Sequence, residues 1–194
     1  MKLYHAQNSP YARCSRMAAR LSGLTIEEID VSKHPEQRSA LLEKGPGGKI
    51  PGLQTDNGFL CETLIINNYL NRLAGGKMLD DSDTALLEIE GLGLLLTDCL
   101  YLRSHELRAE DGQPSPSLVE KETARIARCY DALDARLSGK APAMNLATFA
   151  AVCALGYANW RGADDNWRDG RPGLAAWYDG MMENADVAET APIF

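Results

Sequence analysis

No C-x-x-C pair, no basic block and no long apolar run occurs in this 194-residue sequence, and each absence removes a class of protein. The five cysteines, at positions 14, 61, 99, 129 and 153, are odd in number and widely spaced. That pattern excludes a disulfide scaffold and a dithiol redox motif, and it fits a reducing compartment. The three histidines, at 5, 34 and 105, lack metal-ligand spacing, so no metal site is expected and none of them is assigned chemistry. The 20 Lys and Arg are outnumbered by 27 Asp and Glu and are not clustered, which argues against nucleic acid as a partner. The apolar run 92–96 contains Gly93 and is soon followed by Asp98, far short of a membrane span. No basic-then-apolar leader opens the chain, and the expected location is cytoplasmic. What is present is a 45% hydrophobic composition, enough for one good core or two small ones.

Two rhythms meet near residue 77. The first, over residues 1–76, mixes short strands and helices. Strands are expected over 3–6, 25–31, 50–54 and 58–61, the last two joined by Asp56-Asn57 with Gly58 placed for positive φ. Helices are expected over 10–21 and 62–73, and Leu64, Ile65, Tyr69 and Leu73 of the second follow helical spacing. The order is β-α-β, a connecting segment, then β-β-α. The second rhythm, over residues 83–194, is helical throughout. A helix over 83–108 is apolar on more than one face and should pack on two sides. One over 117–137 should turn Val119, Ala124, Ile126, Tyr130, Leu133 and Leu137 inward, after a loop over 110–117 with two prolines and a glycine. The segment 146–160 is small and apolar throughout and reads as the buried helix, preceded by Asn145 as its cap. Thr148 reaches back less well than an acid would, so only half of a capping box is expected. A last helix is expected over 174–183.

The stretch "NSPYARCSR", residues 8–16, brings a serine, a proline and a cysteine together at a strand-to-helix turn. Ser9 sits where an N-cap belongs and Pro10 suits the first helical position. The free N–H groups and positive dipole end there favour a thiolate over the first turn. Thiols at helix N-termini fall to a pKa of about 3.5–7.5 from about 8.5, and a donating hydroxyl adds to the effect. Read alone, Ser9 is better explained as a helix cap. Cys14 lies a turn inside the helix and reads as a small packing residue.

The segments "KLYHAQNSPYAR", "GGKIPGL", "CETLIINNYL", "ALGYANWR" and "GLAAWYDGM", in this order, resemble the cytosolic glutathione S-transferases, nearest a bacterial branch whose first loop reads Ser-Pro-Phe/Tyr. The resemblance covers essentially the whole chain. It implies an α/β thioredoxin-like N-terminal domain that binds glutathione, and an all-α C-terminal domain that shapes the pocket for a small electrophile. It makes Ser9 the hydroxyl donor to the glutathione thiolate. Pro51 would be the family's cis proline, Ile50 the residue whose backbone pairs with the cysteine of glutathione, and Lys49 a partner for the glycine carboxylate. Glu62 and Thr63 would hold the γ-glutamyl group. Cys61 is expected to point away into packing. A homodimer through the helix after Thr63 and the helix after Asp83 is also implied. Two rivals stay open: a glutathione-dependent disulfide reductase or isomerase working through Cys14, and a non-catalytic scaffold of the same fold.

Overall fold

The computed structural model describes residues 1–33, 35–108 and 113–192; His34 and part of the 110–117 loop lie outside them. A four-stranded sheet, ordered β2-β1-β3-β4, contains β1 (Lys2–His5), β2 (Glu27–Asp30), β3 (Gly52–Thr55) and β4 (Gly58–Cys61). β1 runs parallel to β2 and antiparallel to β3, which forms a hairpin with β4. Alternation along β1 sends Leu3 toward the main core and Tyr4 to the opposite face. The first face carries helices α1 (Pro10–Ser22) and α3 (Thr63–Leu73).

The expected connecting segment contains a helix, α2 (Pro35–Lys44), whose Leu41 packs with Tyr4, Ile29 and Val31 beneath the second sheet face. Its sequence carries no apolar stripe, because one inward leucine suffices to seat it. Other expectations need correction. β3 begins at Gly52, leaving Ile50 and Pro51 outside the ladder. Gly58 does not adopt positive φ; the hairpin turn is held by the Thr55 hydroxyl, which donates to the Gly58 carbonyl and accepts from the Asn57 N–H. Ala124 is exposed, and so is Cys61, which ends the sheet's outer strand.

Among the described residues five α-helices follow: α4 (Thr84–Glu106), α5 (Pro116–Leu137), α6 (Leu146–Arg161), α7 (Pro172–Met182) and the short α8 (Ala185–Glu189), which the sequence reading missed. α4 packs on both α5 and α6, as its two apolar faces predict. Gly93 lets α4 and α6 approach, since a Cβ there would lie 2.5 Å from the Ala150 carbonyl carbon. α6 is buried from Leu146 to Ala158. Its capping box is complete: Asn145 Oδ1 accepts from the Thr148 N–H at 2.9 Å, and Thr148 Oγ1 accepts from the Asn145 N–H at 3.2 Å. A threonine hydroxyl therefore does reach back, because it also donates to the Ala143 carbonyl and is held in place. The connector is clamped by Asn71, which bonds the Met78 N–H and the Leu79 carbonyl, so the main core runs unbroken from sheet to bundle.

Glu28 on β2 ties the sheet to α1, accepting from Arg16 at 2.6 Å and from Arg20 at 3.2 Å. Burial alone would raise its carboxyl, but the bonds and charges of the two arginines outweigh it and hold the pKa below the ordinary value. A lowered folded-state pKa means the stabilisation is present above the ordinary carboxylate range and is lost as pH falls through the depressed value. Glu28→Gln should therefore cost about 1–2 kcal/mol near neutrality. The gap to the parent should close on acidification, as followed by urea unfolding across pH.

Candidate functional site

α1 begins at an N-cap, Ser9, with extended backbone (φ −86°, ψ 117°) and Pro10 in the first turn. The Ser9 Oγ accepts from the Ala12 N–H at 3.2 Å, which uses a lone pair and leaves the hydroxyl proton free to donate outward. α3 begins differently. Glu62 precedes it in a left-handed conformation, φ 71°, and its side chain makes no capping bond. The first N–H groups of α3 thus carry no side-chain cap and suit an anion. Thr63 is buried, and its hydroxyl reaches the Tyr11 carbonyl at 3.4 Å, a long bond that leaves it free to turn. The Ile50–Pro51 peptide is cis.

These features open into one cleft of about 520 Å³ between the sheet domain and the helices. It brings together Ser9, Lys49, Ile50, Pro51, Glu62 and Thr63. Across from them stand Tyr101, Tyr157 and Trp160. Arg103 is absent from the cleft, because it makes a two-pronged bond to Asp165 at 2.8 and 2.7 Å.

Several lining residues escaped the sequence reading: Tyr11, Arg38, Asp98, His105, Arg108 and Arg161. A signal for some of them existed. Asp98, Tyr101 and His105 recur at intervals of three and four along α4 and so share one face, and Arg108 follows three residues later, just past the helix's end. Tyr101 contacts the His105 ring at 4.2 Å between centroids and meets the Tyr11 ring edge-on at 5.8 Å. The Tyr11 phenol donates to Asp98 Oδ1 at 2.6 Å, bridging α1 to α4. Burial, and then the bond and charge of Asp98, push the phenol's pKa far up, so it stays protonated. His105 is pushed down by burial and by Arg108 and Arg161, so its imidazole is neutral near pH 7.

Cys14 lies outside this cleft, buried between α1 and α6. Asn67 Nδ2 donates to its sulfur at 3.4 Å. Its hydrogen bond to Cys153 and its burial raise the thiol's pKa well above the ordinary value. Among the described residues no group of His, Cys, Asp and Glu is arranged to hold a metal ion, and no helix is long and apolar enough to cross a membrane.

A family model described as the glutathione S-transferase N-terminal domain matches residues 3–78. The uncharacterized GST-like protein YibF of Escherichia coli (strain K12) is 26% identical over 200 residues, covering 99% of this chain and 98% of that protein. A crystal structure of a glutathione S-transferase from Methylobacillus flagellatus KT with glutathione bound matches with a TM-score of 0.87 at 28% identity, over 99% of both chains. A glutathione transferase family member from Pseudomonas fluorescens Pf-5, also with bound glutathione, matches with a TM-score of 0.82 at 26% identity, over 100% of this chain and 99% of that one.

The Tyr11–Asp98 bond is directly testable. Asp98→Asn removes the charge that keeps the phenol protonated, so an alkaline difference titration should show one phenol ionising at lower pH than in the parent. Superimposable titrations would mean that the bridge does not form in solution.

Proposed function

The chain belongs to the glutathione S-transferase family, and from that premise we propose that it transfers glutathione to a small electrophile. One observation carries the reading: two helix N-termini and the backbone beside a cis proline converge on a single cleft. Glutathione is an extended tripeptide with a carboxylate at each end and a thiol between them. Its γ-glutamyl carboxylate would meet the open N–H groups of α3 and the Thr63 hydroxyl, with the Glu62 carboxylate on its ammonium. Its cysteine would pair with the backbone of Ile50, which lies outside the ladder and beside Pro51. Lys49, with Arg38 nearby, would face the glycine carboxylate. The thiol would then lie over the start of α1.

The chemistry follows from that placement. The thiol loses its proton to solvent, and the thiolate is stabilised by the helix end and by the Ser9 hydroxyl. The sulfur then donates its electron pair to the electrophilic carbon, forming a C–S bond while a leaving group departs or a π bond opens and is protonated. Cys14 argues against the reductase alternative, since a buried thiol with a raised pKa is a poor nucleophile.

The resemblance also implied a dimer, and α3 and α4 supply surface for one. The helical spacing of Leu64, Ile65 and Leu73 faces outward, 42%, 52% and 46% exposed, whereas Thr63, Ile66, Asn67 and Leu70 face the core. Leu87, Leu95 and Leu102 of α4 are exposed as well, at 38%, 48% and 44%. We assign this apolar surface to pairing with a second copy of the chain.

Ser9→Ala should leave glutathione binding by calorimetry close to that of the parent while raising the pKa of the bound thiol. A hydrogen bond to a charged group is worth about 1.5–3 kcal/mol, which corresponds to a rise of roughly 1–2 in pKa. An unmoved thiolate titration would reduce Ser9 to a helix cap. For the assembly, light scattering should give twice the chain mass for the parent and the single-chain mass for Ile65→Glu, with the far-ultraviolet dichroism retained. A monomeric parent would sink the assignment.

A further inference from the structure

The helical wall of the cleft carries positive charge that no carboxylate among the described residues pairs. His105 lies in the last turn of α4, Arg108 just beyond it, and Arg161 closes α6. Arg108 spends Nε and Nη2 on the Ser104 carbonyl and hydroxyl, at 2.8 and 3.0 Å, which fixes the guanidinium and leaves its third nitrogen. Arg161 sits over Trp160, its guanidinium carbon 3.5 Å from the ring centre. Its Nε is buried with no hydrogen-bond partner among the described residues. Neither arginine has an ion pair among the described residues. Among the described residues two carboxylates line the cleft, and neither answers these charges: Glu62 stands at the start of α3, and Asp98 accepts the Tyr11 phenol.

Surface arginines at helix C-termini are ordinarily explained by the dipole. That explanation does not cover a guanidinium stacked on an aromatic wall of the cleft with a buried, unpartnered N–H. Nor does the tripeptide need this pair, because Lys49 and Arg38 already stand on the sheet-domain side beside the Ile50–Pro51 peptide. Fixed, planar guanidinium groups match a carboxylate, and the rings of Tyr101, Tyr157 and Trp160 offer flat apolar surface next to them.

We propose that the acceptor end of the cleft selects electrophiles that carry a carboxylate, held by Arg108 and Arg161 with the body of the molecule against the three aromatic rings. This rests on the transferase reading above, in which the glutathione sulfur lies over the start of α1. In the case of an unsaturated acid, the thiolate forms its C–S bond at the alkene carbon remote from the carboxylate. The π pair moves to the neighbouring carbon, which water protonates. No oxidant or reductant is required.

The test compares S-(4-carboxybenzyl)glutathione, its neutral counterpart S-(4-carbamoylbenzyl)glutathione and glutathione itself by calorimetry. The parent protein should bind the acid at least tenfold more tightly than the amide. Arg108→Gln and Arg161→Gln should each erase most of that preference while keeping glutathione affinity within about twofold, which also shows that the variants fold. Equal affinity of acid and amide in the parent overturns the proposal and leaves the transferase reading standing. Loss of affinity for glutathione itself in both variants, with their thermal unfolding unchanged, would assign the arginines to the tripeptide and overturn it as well. A parent that binds none of the three ligands defeats the transferase reading and this proposal together.

Discussion

Everything in this molecule is referred to α1, a helix buried on nearly all sides. From Ala12 to Ala19 each of its residues is buried, including Arg13, Ser15 and Arg16. A helix in that position must satisfy its polar side chains inside the protein, and here each one becomes a tie to a different element. Ser15 donates to Asn67 of α3 at 2.8 Å, Arg16 binds Glu28 of β2, and Arg13 donates to the Val187 carbonyl of α8 at 3.0 Å. Gly156 leaves room on α6 for the Arg13 guanidinium, because a Cβ there would stand 2.5 Å from its Nη1. The sheet, the bundle and the C-terminal helix are thus all indexed to one rod. The N-terminal end of that rod forms the floor of the cleft.

Such indexing explains how short segments from distant parts of the chain reach one cavity with little regular structure of their own. Ser9 is placed by the start of α1. Thr63 is placed by α3, which packs along α1, and Tyr11 carries the register across to Asp98 on α4. Glu62 is the point of strain. A non-glycine residue in the left-handed region costs roughly 1–3 kcal/mol and persists only where its surroundings over-determine it. Here β4 ends on one side of it and the buried first turn of α3 begins on the other, so the chain has no room to relax.

What was legible in the sequence follows the same division. Elements with strong local chemistry were readable: Ser9-Pro10 at a helix start, the Asp56-Asn57 turn between strands, and the apolar run that became α6. α2 was not, because a helix seated by Leu41 alone leaves no periodic trace. The outward face of α3 reads like a core stripe, because an exposed apolar face has the same spacing as one turned inward. On the sheet-domain side of the cleft, Ser9 could be named from its cap and Lys49, Ile50, Pro51, Glu62 and Thr63 through the family resemblance, though Tyr11 and Arg38 escaped. The helical half could not. Asp98, His105 and Arg108 are single polar letters on a long helix, and only the packing of α4 against α1 and α6 shows that their common face looks into a cavity.

That asymmetry has a physical origin. On the proposed reading, glutathione is gripped mostly by backbone: the open N–H groups of α3, the peptide of Ile50 and the dipole end of α1. Backbone donors survive side-chain replacement, so a sequence can drift far while such a site keeps its shape. The acceptor end has no such shelter. Its walls are side chains of α4 and α6 that contribute to the cleft through charge and ring surface. On the proposed assignment, exchanging Arg108 or Arg161 would change what the cleft accepts and leave the stacking of α4 on α6 at Gly93 untouched. On that reading the choice of electrophile would vary almost independently of stability, with α1 holding the sulfur in place.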